Sequence, residues 1–232
     1  MPTADVLIYT RTTGYRHASI PDAAAALTQL ATELGRPAEV TDDPGAFTPK
    51  RLADCAVVVL LSTTGNVLTS DGRRAFETYL RSGGSLLAVH AAANAEPDWP
   101  FYGELLGTRF AGHPEIQPGT VLVDDPTHPA TAPLPHRWTR TDEWYNFTSD
   151  PRDNPPPGVR VQVLARADET TYHGGTHGPD HPLVWCGDID RGRIFFTALG
   201  HASETYGDPL FRAHLAGALA WLTDGRVDGL TC

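Results

Sequence analysis

The strongest constraint on this chain lies in its first ninety residues, where short apolar runs alternate with stretches of helical periodicity. ADVLIYT (4–10) is a β-rich run, and Ser19 followed by Pro21 and Asp22 marks a helix start. Leu27, Leu30, Ala31 and Leu34 then recur on one face until Gly35 ends the pattern. Val40 belongs to a weaker second strand, and TPKRLADC supplies a short helix. AVVVLL (56–61) and SLLAVH (85–90) read as strands buried on both faces. Between them a helix runs from about Thr69, with Phe76, Tyr79 and Leu80 inward, until Gly83-Gly84 stops it. Strands separated by such helices imply right-handed crossovers, hence an α/β fold with a doubly wound, mostly parallel sheet.

The middle is less regular. Residues 113–158 are rich in proline, including Pro155-Pro156-Pro157, and read as loops with short strands. Trp138, Trp144, Tyr145 and Phe147 need a core, so this stretch reads as an elaboration rather than a linker. Regular structure resumes in VRVQVLARA (159–167), PLVWCGDI (182–189) and GRIFFTAL (192–199), with Asp190-Arg191-Gly192 as a tight hairpin turn. Asp208-Pro209 opens a final helix with Leu210, Phe211, Leu215, Ala218 and Leu222 on its buried stripe. At 232 residues and 41% hydrophobic, the chain can fill one core, and residues 1–232 are read as a single domain.

The 18 basic residues stand against 28 acidic ones, a formal charge of -10, and no basic tract occurs. Such a surface repels phosphate, so neither nucleic acid nor an anionic membrane is an expected partner. The opening MPTADVLIYTRTTGYRHASI lacks a signal-peptide pattern, and no apolar run is long enough to span a bilayer. Cys55, Cys186 and Cys232 are odd in number and far apart, without a CxxC. Neither a disulfide framework nor a thiolate metal cage is expected, and a reducing cytoplasm fits.

In open α/β sheets, ligands bind beyond the carboxyl ends of the strands. TRTTGYRH follows the first strand and ends in His17; Ser62-Thr63-Thr64-Gly65 follows the third; SLLAV runs into His90 and GRIFFTALG into His201. The topology thus brings three histidines to one rim. His90 occupies the turn where α/β enzymes display a nucleophile, and Val89-His90-Ala91-Ala92 offers no Cys or Ser. Acyl transfer from this turn is therefore excluded. The imidazole reads as base, electrophile or metal ligand, or else as a structural histidine beneath the sheet edge.

Asp142-Glu143-Trp144-Tyr145 sets two carboxylates beside two aromatics, a pattern of sugar sites and equally of an amphipathic strand with Trp144 in the core. His113 is placed to line the crevice, and His128 reads as a turn residue. His173, His177 and His181 fall four apart, but GGTHGPDHP forms no helix to align them, so a polar lid or loop is expected there. His214 lies on a buried stripe and reads as a core histidine. No GxGxxG or GxxxxGK[ST] occurs to mark a nucleotide phosphate site.

TTGYRHASIP, LLSTTGNVLT, GGSLLAVHAA, FAGHPEI, TDEWYNF, DETTYHGG, DHPLVW and GRIFFTALGH occur in this order along nearly the whole chain. Together they resemble the ThuA-like (trehalose utilisation) family, related in fold to class I glutamine amidotransferases. The resemblance implies a flavodoxin-like sheet with His90 where the amidotransferase cysteine would stand, so glutamine hydrolysis is not expected. It implies trehalose or a related disaccharide as partner, handled alongside dehydrogenases that make 3-keto sugars. His17, Thr64, His90, His113, Glu143, Tyr145, His181 and His201 fall within the matching motifs. His177 departs from the pattern, which leads one to expect an apolar residue.

Three functions follow as expectations. The first is an enzyme acting on a disaccharide or 3-keto-disaccharide, with His90 or His201 as base and Glu143 as partner acid. In it His17 or a divalent ion stabilises the enolate oxygen, and Thr64, His113, Trp144, Tyr145 and His181 bind substrate. The second is a non-catalytic sugar-binding or regulatory domain. The third is a metal-dependent hydrolase with His17, His90 and His201 holding an ion such as zinc. The aromatics of 138–147, together with Tyr15, read equally well as a contact between copies in a homo-oligomer.

Overall fold

The computed structural model describes residues 5–153, 155 and 159–224. Its elements run β1 (Val6–Tyr9), α1 (Ile20–Glu33), β2 (Ala38–Thr41), α2 (Pro49–Leu52), β3 (Val57–Leu61), α3 (Ser70–Arg81) and β4 (Ser85–Val89). The helices begin where side chains satisfy their free amides. Thr48 accepts from Arg51 N, Thr69 from Gly72 N, and Pro sits in the first turn of α1 and α2. Ser19, at the cap position of α1, makes no such bond.

β1 pairs in parallel with β2 and β3, and β4 pairs in parallel with β3. From β1 the chain steps outward to β2, then back past β1 to β3 and β4. Right-handed crossovers in opposite directions place α1 on one face and α2 with α3 on the other, which is the doubly wound arrangement. β1, β3 and β4 are buried at every position, which explains their unbroken Val/Leu runs.

Next come α4 (Pro100–Leu106), β5 (Phe110–Gly112), β6 (Gln117–Val123), β7 (Arg137–Asp142), β8 (Asn146–Phe147), β9 (Val159–Asp168), β10 (His181–Ile189), β11 (Gly192–Thr197) and α5 (Pro209–Thr223). β11 inserts in parallel beside β4, and β10, β9, β6 and β7 continue antiparallel. The sheet order is β2-β1-β3-β4-β11-β10-β9-β6-β7, with β5 and β8 forming a separate small pair. Half of the eight pairings in the large sheet are parallel, and these are the ones nearest β1.

The irregular middle therefore contains two longer strands, β6 and β7, rather than loops with short strands alone. Pro118, Gly119, Arg137 and Arg140 lie within them, which blurs the alternation that marks a strand. Pro156, Pro157 and Cys232 lie outside the described residues. Trp138, Trp144, Tyr145 and Phe147 are buried within the chain, whereas Tyr15 is exposed. Cys55 is buried, and its thiol donates to the carbonyl of Arg51. Among the described residues, no helix is long and apolar enough to cross a membrane.

Candidate active site

The carboxyl ends of β1, β3, β4 and β11 form one rim. His90 follows β4 directly and sits at φ +51, a left-handed conformation rare for a residue with a side chain. A sharp turn after a central strand thus survives, with an imidazole at its apex. The Nδ1 of His90 is 2.7 Å from the carbonyl of Ala198. A carbonyl only accepts, so Nδ1 donates. The Nε2 of His90 lies 3.0 Å from the Tyr145 hydroxyl. Burial, and then the charges of Glu143 and Asp142, push the Tyr145 pKa up, so the hydroxyl keeps its proton and donates.

Glu143 stands at the centre. Its Oε2 is 3.9 Å from His17 Nε2, 3.3 Å from His90 Nε2 and 3.1 Å from His201 Nδ1, and its Oε1 is 3.3 Å from His113 Nε2. One donor atom each from His17, His90, Glu143 and His201 lies within 4.8 Å of the other three. The imidazole rings meet edge to face, with centroids 4.8–5.4 Å apart. His17, His90 and Glu143 are buried, and His201 is partly so. The contact from His201 Nδ1 has the distance of a hydrogen bond without its direction, for that buried nitrogen has no hydrogen-bond partner, and neither has His17 Nδ1.

Burial alone would raise the Glu143 pKa, but contacts with His17, His201 and His90 outweigh it and hold the carboxyl well below its usual range. These contacts favour the carboxylate form of Glu143. Its contact raises the His201 pKa against the opposing effect of burial. The His17 pKa is lowered by burial, with His90 and His201 adding to the effect.

Asp142 joins β7 to the rim. Its Oδ1 accepts from the amides of Glu143 and His201, and its Oδ2 from Gly200 N and Arg140 Nε. Gly200 turns the chain at φ +114, where an added Cβ would lie 2.7 Å from the Tyr206 hydroxyl oxygen.

The other expected substrate contacts divide. His113 reaches the cluster from the loop after β5. Thr64 is buried and donates to the carbonyl of Tyr15, anchoring the loop that carries His17. Trp144 does not line the crevice: its ring packs on Gly119 and Tyr172, and Nε1 donates to Gln117 O. His181 is fully buried. Its Nε2 donates to the carbonyl of Tyr145, while Nδ1 meets Glu169 Oε1 at 2.7 Å and the Tyr172 hydroxyl at 2.9 Å. His181 thus holds the backbone of Tyr145 in place, and Glu169 and Tyr172, not foreseen from sequence, hold His181. His177 accepts from Phe147 N, His128 from Ala130 N, and His214 meets the carbonyl of Ala130, as a turn histidine and a core histidine do.

The sequence profile of the trehalose utilisation family, ThuA, matches residues 5–222. The chain belongs to the ThuA family. Among solved structures it is similar to a ThuA-like protein from Bacteroides uniformis ATCC 8492, with 27% identity, 95% of this chain and 91% of that one covered, and a TM-score of 0.76. A ThuA-like protein from Parabacteroides merdae ATCC 43184 shares the fold at 21% identity, with coverages of 98% and 92% and a TM-score of 0.72. So does a cytoplasmic protein of Salmonella typhimurium LT2, at 13% identity, coverages of 94% and 99%, and a TM-score of 0.66. Among curated proteins no match was found. Membership places this ThuA-family chain in carbohydrate metabolism related to trehalose utilisation.

Proposed function

We propose that the chain is an enzyme acting on a disaccharide or its 3-keto derivative by acid–base chemistry at the His–Glu cluster. The observation that carries this reading is the convergence of three histidines on one buried, ionised carboxylate at the strand-end crevice. A ketone at C3 acidifies the neighbouring C–H bonds. His90 Nε2 removes the proton at C2, the electron pair moves into the C2–C3 bond, and the C3 oxygen becomes an enolate. Its collapse forms the C1–C2 double bond and expels the glycosidic oxygen from C1, which takes a proton; reprotonation of the enediolate instead gives an isomer. Glu143 balances the charge that His90 gains, and His201, with its raised pKa, supplies the proton. General acid–base assistance of this kind contributes about 10²–10⁴ in rate.

A second reading is favoured by the spacing of the donor atoms and the hydrogen-bond-free nitrogen of His201. Three imidazoles and one carboxylate suit zinc or another divalent transition ion, and the Ala198 carbonyl is the outer partner that orients a ligating histidine. His17, His90, Glu143 and His201 would hold the ion, which would supply Lewis acidity toward a sugar oxygen. Elemental analysis of protein purified without a His-tag tests it: about one ion per chain is expected, lost in Glu143→Gln, and a metal-free wild type overturns it.

Proton NMR of 3-ketotrehalose in D₂O tests the enzyme. Protein-dependent loss of the signals beside the ketone, or new sugar products, is expected. An unchanged spectrum with line broadening overturns catalysis in favour of a binding domain; one without broadening overturns the substrate class.

A further inference from the structure

Beside the cluster lies an open cleft of about 530 Å³ whose lining includes His201, so a molecule filling it adjoins the reacting centre. Its size falls in the range of small-molecule sites, roughly 300–1,000 Å³. Among the described residues, four large hydrophobic side chains are exposed, and two of them, Tyr15 (69%) and Ile116 (50%), line this cleft. The Tyr15 backbone is pinned by the Thr64 hydroxyl while its ring stays in solvent. An aromatic and an aliphatic face held open in this way match the C–H face of a sugar ring.

The polar lining is equally selective. Ser19, at the cap position of α1, contributes to the cleft wall, with its hydroxyl buried beneath the surface. Ser203 and Glu204 add a hydroxyl and a carboxylate, and no lysine or arginine lines the cleft. Carboxylate without cation favours neutral hydroxyls and rejects phosphate.

We infer that this cleft is the subsite for the non-reacting ring of the disaccharide, and that it takes that ring unphosphorylated. The inference rests on the sugar-acting role proposed above and deepens it. His201 is the boundary between the two halves of the substrate. The cluster handles the oxidised ring, and Tyr15, Ile116, Ser203 and Glu204 read its partner.

Calorimetric titration with trehalose, trehalose 6-phosphate and glucose tests this on wild type, Tyr15→Ala and Glu204→Lys. Tyr15 and Glu204 are exposed, so both variants are expected to fold, with melting temperature as the control. Wild type should bind trehalose more tightly than glucose and discriminate against the phosphate. Tyr15→Ala should weaken trehalose about 3- to 10-fold with glucose unchanged, and Glu204→Lys should narrow the discrimination against the phosphate. Trehalose binding that is equal in wild type and Tyr15→Ala, or a phosphate preference unmoved by Glu204→Lys, overturns the subsite and leaves the proposed function standing. Wild type that binds no sugar overturns both. Binding that follows the expected pattern supports the subsite.

Discussion

The two halves of the large sheet are built on different rules, and the candidate site needs both. In the parallel half, β2-β1-β3-β4-β11, every strand but the edge strand β2 is buried throughout, and the loops that follow β1, β4 and β11 present His17, His90 and His201 at one rim. Those are three imidazoles without a counter-charge. In the antiparallel half, β10-β9-β6-β7, β10 is still buried throughout, while β9, β6 and the outermost strand β7 carry exposed or half-buried positions. Yet the segment leaving β7 folds back to set Glu143 among the histidines and Tyr145 against His90, with Asp142 stitching it to Gly200 and His201. A parallel sheet supplies position; the return segment supplies charge.

The largest expected effect comes from separating these contributions. Glu143→Gln keeps the shape and removes the charge, and turnover of the keto sugar should fall by about 10²–10⁴ with little change in fold. His90→Asn, which tolerates the left-handed turn, should lose a similar factor from the other half. If the halves form one unit, the double variant loses no more than the worse single one. Losses that multiply would mean two independent sites, and turnover within tenfold of wild type in either single variant would break the mechanism.

Beneath the seam, acid should act on stability. Burial pushes the pKa of His214, on α5, down to about 4, and that of His128 likewise to about 4. Both values lie below the 6.5 of the unfolded chain, so the unfolded state binds more protons between pH 6.5 and 4. The stability these histidines contribute is present above 6.5 and is lost as pH falls through that window, roughly 3 kcal/mol for the fully buried His214. Denaturant melts at pH 7 and pH 5 read it. In His214→Gln the pH slope should shrink, and an unchanged slope would remove this account.

The same division decides what could be read from sequence. β1, β3, β4, α1 and α3 announce themselves because each is patterned by its own neighbours, and the strand-end rule then yields His17, His90 and His201. β6 and β7 do not, because Pro118, Gly119 and the arginines at 137 and 140 break the period and their pairing is long-range. Glu143 and Tyr145 could be singled out as a motif, whereas the ionised state of Glu143 depends on histidines some 50 to 130 residues away in the chain. Trp144 and His181 show the limit of residue type: both look like ligand contacts, and both are spent on packing and hydrogen bonds inside the return segment. The signal for that was the pairing of DETTYHGG with DHPLVW, which places Glu169 and Tyr172 on His181.

His181 therefore gives a smaller, indirect effect. His181→Gln should lower kcat about tenfold by loosening Tyr145. Because His181 is fully buried and its ring nitrogens are engaged by Tyr145, Tyr172 and Glu169, KM should move far less. A KM change without a kcat change would return His181 to the substrate wall.

The smallest effect is expected where the antiparallel half meets solvent. Arg137 on β7 reaches across β6 to Asp168 on β9, 2.7 Å from its Oδ2. The arginine side chain is 55% exposed, and an exposed pair contributes about 0–1 kcal/mol, less in salt. Asp168 has a second task, accepting from Thr170 N and its hydroxyl at the turn that leads to Tyr172. Arg137→Ala should therefore shift the denaturation midpoint little, and Asp168→Ala clearly more, because only the latter frees the turn that positions the partners of His181. Equal and large losses in both variants would mean that the outer strands are held by the ion pair itself, and the return segment with Glu143 would then depend on salt.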